Sequence, residues 1–204
     1  MSEALINILN KSWPTFVIFL SISIILRVAY IRHSKKKFSL HEELFLLLFV
    51  VYILLLFESV TYNEIGYGGS NFIPFKEILR YPFASEGFYR QVIGNIVLFI
   101  PFGYFITHFI KIKNIFSAFI LTFLSSLTIE TVQYFIGRTF DIDDIILNVA
   151  GGVLGFLLYI ALEAIKKHLP KFFQKEFIYT ILSIILISFI VLYFLDIYGV
   201  WSFI

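Results

Sequence analysis

Apolar residues gather in six long runs, roughly 13–31, 40–60, 92–110, 114–136, 145–165 and 177–198, with short connections between them save for the longer 61–91. Each approaches the about 20 residues a helix needs to cross a hydrocarbon core about 30 Å thick. The pattern predicts an all-α, polytopic transmembrane bundle of about six helices. It divides into a first helix with a basic loop (1–39), a four-helix core with an outer loop (40–166) and a last helix (167–204). Inside the runs, the few polar residues recur at helical spacing. Asp141, Asp144, Asn148, Gly151, Gly152 and Gly155 form one stripe, and Ser126, Glu130, Gln133 and Gly137 form a second. Gln91 and Asn95, one turn apart, start a third. Three such stripes are tolerable in hydrocarbon only if they face one another.

Composition agrees with the pattern: 59% of residues are hydrophobic, 20% are aromatic and mean hydropathy is +0.90. The runs leave no room for a separate soluble domain. The absence of cysteine excludes thiol catalysis, disulfides and Cys-ligated metal. The net charge of +2 matters less than where the charges fall. Eleven of the 16 Lys and Arg residues lie in or beside alternate connections: Arg27 with 32–37, Lys111 with Lys113, and Lys166, Lys167, Lys171 and Lys175. By the positive-inside rule these face the cytoplasm, and both termini are extracytoplasmic. The first run has its basic residues after it and no small-residue cleavage site, so it reads as a retained helix. RHSKKK (32–37) reads as a topology signal touching anionic lipid, not as a nucleic-acid patch.

This orientation collects Arg90, Gln91, Asn95, Glu130, Gln133, Arg138, Asp141, Asp143, Asp144 and Asn148 at the outer side. Ionisable groups inside a membrane mark functional sites by default. The stretch GRTFDIDDIILNVAGGVLG (137–155), with three carboxylates at a membrane entrance, is the most informative. Asp141 or Asp143 has the alternative of capping the following helix. Glu130 has that of a buried ion pair with Arg138 or Arg90, or a hydrogen bond with Gln133. Gly151, Gly152 and Gly155 read as close helix packing. Pro101 predicts a kink in the third helix. NFIPFKEI (71–78) reads as an interfacial segment, either a lid over the polar site or an aromatic anchor.

Four segments, NFIPFKEI, NIVLFIPFGYF (95–105), ETVQ (130–133) and the 137–155 stretch, occur in an order and spacing similar to the VanZ-like family of bacterial membrane proteins. The resemblance covers roughly residues 45–165. It rests on Asn71, Pro74, Phe75, Asn95, Pro101, Gly103, Glu130, Gln133, Gly137, Arg138, Asp141, Asp144, Asn148 and Gly151. It implies a multi-pass protein of the bacterial cytoplasmic membrane. The family's namesake is associated with low-level resistance to the glycopeptide teicoplanin.

Three functions remain open on sequence. The first is an enzyme or binding protein acting at the outer leaflet on a lipid-linked or cell-wall molecule. There Glu130, Asp141, Asp144 and Arg138 would do the chemistry, and Asn71, Arg90, Asn95, Gln133 and Asn148 would bind substrate. Asp141 and Asp144 would hold Mg²⁺ or Ca²⁺ through oxygen ligands. No His or Cys lies on that side, which argues against zinc and against Ser-His-Asp hydrolysis. The second is a transporter or flippase, which the lack of a repeat disfavours. The third is a non-catalytic accessory protein whose polar cluster only locks the bundle.

Overall fold

The computed structural model describes residues 2–34, 39–61 and 69–171, together with Lys175, Ile178 and Ile181. It is all-helical: α1 (Ser2–Ser34), α2 (Leu40–Thr61), α3 (Gly94–Ile110), α4 (Ile115–Phe135) and α5 (Ile142–His168). The expected last run, 177–198, lies outside the described residues save for Ile178 and Ile181. Two units divide the chain, Met1–Leu55 with Leu169–Ile204, and Leu56–His168. In the first, the Arg27 guanidinium forks onto the Glu43 carboxylate at 2.8 and 2.9 Å, tying α1 to α2.

In the second unit three helices are long and apolar enough to cross a membrane: Phe88–Ile110, Ile115–Phe135 and Ile142–His168. The first of them opens with an unexpected π-helical turn, Phe88–Ile93, which runs straight into α3. Pro101 sits inside α3, which continues through it. Local chemistry sets the other ends. Lys111, in left-handed conformation (φ 58°), ends α3, and the Asn114 side chain accepts the Ser117 N–H at 2.7 Å to start α4.

Helices α3 and α5 run parallel in close contact, and α4 lies antiparallel to α5. The close approach is made by glycine. A Cβ at Gly103 would collide with the Gly152 carbonyl, and one at Gly152 would collide with the Thr122 side chain. Removing the side chain at the crossing lets two backbones touch, the packing expected of small residues in membrane helices. Phe99, Phe102, Phe105, Ile145, Leu147 and Phe156 are buried around that crossing.

Candidate functional site

At one pole of this unit the start of α3, the end of α4 and the start of α5 meet. Local structure explains why Arg138 points into the group. After α4, Gly137 takes φ 88°, a left-handed conformation that glycine adopts without strain. The Gly137 N–H then bonds the Tyr134 carbonyl (3.2 Å) and the Arg138 N–H bonds the Gln133 carbonyl (2.9 Å). These two bonds form a Schellman cap, which satisfies the last carbonyls of α4 and fixes Arg138 just beyond it.

Glu130 is 1% exposed, so its carboxylate needs internal donors. Its Oε2 accepts the Asp141 N–H at 2.9 Å. The Gln133 amide, oriented by its two neighbours, donates to Glu130 Oε1 at 2.9 Å and accepts from the Arg138 guanidinium. Gln133 is therefore a bridge between the Glu130 carboxyl and the Arg138 guanidinium. Asp141 caps α5, its Oδ1 accepting the Asp143 N–H (2.9 Å) and the Asn71 Nδ2 (2.9 Å). Burial raises its pKa, and the bonds from Asn71 and the Asp143 N–H offset part of that rise.

The 71–78 segment is bound to α5 by a device the sequence did not disclose. Asp143, left out of the expected site set, is 1% exposed and accepts three backbone N–H groups: Phe75 (2.5 Å), Glu77 (2.7 Å) and Ile78 (3.2 Å). Phe75 is held at φ 66°, unusual for a bulky residue. A parallel bridge between Asn71 and Asp141 completes the clamp. Its outward side chains are apolar: Phe72, Ile73 and Phe75 are exposed, as are Leu79 (82%) and Phe83 (87%) further along.

Two clefts open beside the clamp. One of about 180 Å³ is lined by Glu77, Tyr81, Gln91, Arg138, Asp141, Asp143 and Asp144, among others. The other, about 230 Å³, is lined by Arg90, Gln91, Asn95, Glu130, Gln133, Arg138, Asp144 and Asn148 with apolar neighbours. Gln91, Arg138 and Asp144 border both. Asn95 reaches from α3 to α5, donating to Asp144 Oδ1 at 2.6 Å. Deeper, Asn148 donates to Ser126 Oγ at 2.9 Å. Thus Arg90, Asn95, Glu130, Gln133, Arg138, Asp144 and Asn148 come together, and Asp141 borders the neighbouring cleft. Asn71 lines neither; its side chain is spent on Asp141 and on the Ile73 N–H (3.1 Å). Arg90 is largely exposed, 3.9 Å from Glu86.

Mg²⁺ or Ca²⁺ is the expected occupant of Asp141 and Asp144. Such ions take about six or more oxygens. Among the described residues no three carboxylate or imidazole groups are gathered to hold a metal. Asp141 has already committed Oδ1 to the helix cap. The pair does not by itself make a metal centre.

The sequence pattern of the VanZ/LLP1 family matches residues 43–163, more than half of the chain. The chain belongs to the VanZ/LLP1 family. A stretch of 80 residues is 40% identical to Protein VanZ of Enterococcus faecium, covering 38% of this chain and 49% of that protein. The match thus spans about half the length of that curated relative. No solved structure matches the chain. The region matched by the VanZ/LLP1 pattern contains α3, α4, α5 as far as Glu163, the clamp and both clefts.

Proposed function

We propose that this VanZ-family protein is a multi-pass protein of the bacterial cytoplasmic membrane whose α3–α4–α5 pole faces outward and binds or modifies a lipid-linked or cell-wall molecule. The observation that carries this reading is the position of Arg138 and Asp144, opposite charges that border both clefts. A ligand lying across the two clefts meets Arg138, a forked donor for a phosphate or carboxylate. It also meets Asp144, an acceptor for a hydroxyl or amine, while Glu130, one bridge away, is placed to take a proton. The exposed Phe72, Ile73, Phe75, Leu79 and Phe83 support a membrane-interface setting, where such side chains are better solvated than in water. Lys111, Lys113, Lys166 and Lys167 at the opposite pole support the orientation.

The family's namesake is associated with teicoplanin resistance, and the same proposal extends that association to this chain. In a glycopeptide-susceptible host, the intact chain lowers susceptibility to teicoplanin more than to vancomycin. Asp144→Asn and Arg138→Gln reach the membrane in near-normal amounts and lose that effect. Full activity in both variants would instead favour a pole that only locks the bundle. Orientation is tested separately, since the chain has no native cysteine. An impermeant thiol reagent on intact cells labels Thr139→Cys and spares Lys113→Cys; the reverse pattern would invert the topology.

A further inference from the structure

We propose that the cleft between α3, α4 and α5 receives a primary ammonium group, carried next to an acidic group on the same ligand. This deepens the function proposed above and rests on it for treating the pole as a ligand site. The starting point is an imbalance at the cleft's depth. Asn148 is 4% exposed and lines the cleft; its Nδ2 is used on Ser126, and its Oδ1 has no hydrogen-bond partner among the described residues. Buried amide oxygens are nearly always paired, so an orphan bordering a cleft points to a donor that comes from outside. One turn nearer the mouth, Asp144 uses Oδ1 on Asn95 and borders the same space, and Glu130 forms part of the α4 wall. The depth is thus rich in acceptor oxygens, two of its groups being carboxyls, while the cations Arg138 and Arg90 belong to its rim.

The chemistry of that surface selects among donors. A primary ammonium brings three N–H groups and a positive charge, matching several acceptors of which one or more are carboxylates. A quaternary ammonium offers no N–H. A water molecule would pair Asn148 Oδ1 but brings no positive charge toward Asp144. A divalent metal takes about six or more oxygens, and among the described residues no three carboxylate or imidazole groups are gathered to help supply them. A cleft of about 230 Å³ is larger than an ammonium alone requires, so the ligand extends toward the rim. There the guanidiniums select an acidic group by charge-assisted bonds. The class recognised is therefore a zwitterionic amine, from a lipid headgroup or from a free solute.

The test uses the full chain in nanodiscs of phosphatidylglycerol and phosphatidylcholine, which carry no primary amine. Its thermal midpoint is followed with phosphoethanolamine and with phosphocholine, which differ in the N–H groups and not in charge. Phosphoethanolamine at about ten times its dissociation constant raises the midpoint by about 3–6 °C, and phosphocholine does not. A parallel set of discs containing phosphatidylethanolamine identifies the source. A rise there points to a lipid headgroup and a rise only with the soluble amine to a free solute; both support the proposal. Asn148→Leu loses the amine-specific rise, and Asn148→Asp, which keeps an acceptor, retains it. Equal responses to the two probes, or none in either format, overturn the proposal. Teicoplanin susceptibility that still depends on Arg138 and Asp144 in that event would leave the broader reading standing without its amine.

Discussion

Asp143 and Asp144 are neighbours in the chain and occupy the first turn of the same helix, yet their surroundings are opposite. Asp143 is saturated. Three backbone N–H groups converge on it, its side chain is sealed, and it holds the 71–78 segment in place. Asp144 accepts one side-chain hydrogen bond, from Asn95, and borders two clefts. A carboxylate surrounded by fixed donors has its hydrogen bonding spent on structure. One with acceptor capacity left beside a cavity is available to a ligand. The helix turn rotates successive side chains by about 100°, which sends the two to different partners.

The sharpest way to break this comparison is to remove each carboxylate in turn. Asp143→Ala orphans three N–H groups and releases the strained turn at Phe75. It should destabilise the fold by about 3–5 kcal/mol, less than three charge-assisted bonds sum to, because freed loop amides regain water. Asp143→Asn, with one acceptor oxygen, should fall between. Asp144→Asn should move stability by under about 1 kcal/mol, since its remaining oxygen still accepts from Asn95. Denaturation midpoints measure the stabilities, and protease cleavage within 71–83 reports the clamp. Equal losses at the two positions would remove the distinction.

The division between the two aspartates marks what the sequence could and could not disclose. Helix existence followed from hydropathy: the runs 40–60, 92–110, 114–136 and 145–165 correspond to α2 to α5 within a few residues. Facing polar stripes followed from spacing, because exposing Glu130 or Asn148 to lipid is costly. The clamp did not follow, since Asp143 and the N–H groups it receives are 65–68 residues apart and backbone donors carry no residue signature. The π-helical turn at Phe88–Ile93 has no apolar period of its own, and it went unseen for the same reason. Asn71 was legible as a residue of interest through resemblance. Its place behind Asp141, not in a cleft, required the three-dimensional pairing.

A smaller effect tests how the open side is held in register. Gly137 carries φ 88°, and among the described residues no atom would meet an added Cβ. Gly137→Ala therefore isolates backbone strain from crowding. It should cost about 1–2 kcal/mol, the penalty of a left-handed L-residue, while leaving the clamp protease-resistant. Because the same cap fixes Arg138, the variant should also reduce the teicoplanin effect beyond what its loss of protein explains. Normal activity per molecule would show that Arg138 is positioned by Gln133 alone.

The smallest expected effect separates the two sides by pH. Asp141 belongs to the clamp through Asn71 and to the cleft through its lining position, and burial raises its pKa above the ordinary 3.8. An acid whose folded pKa is raised binds more protons when folded than when unfolded. Its contribution to stability therefore declines as pH rises from about 4 through the folded pKa, and its charge is a standing cost above it. Asp141→Asn keeps the helix cap, as asparagine serves there as well as aspartate, and removes the titration. The stability of the variant relative to the parent should thus rise with pH across that window and level off above it, with titrations common to both chains cancelling. Denaturation midpoints of the pair at matched pH values measure this difference. An advantage that shrinks as pH rises would mean that the hydrogen bonds from Asn71 and the Asp143 N–H outweigh burial, which would place Asp141 with Asp143 on the saturated side.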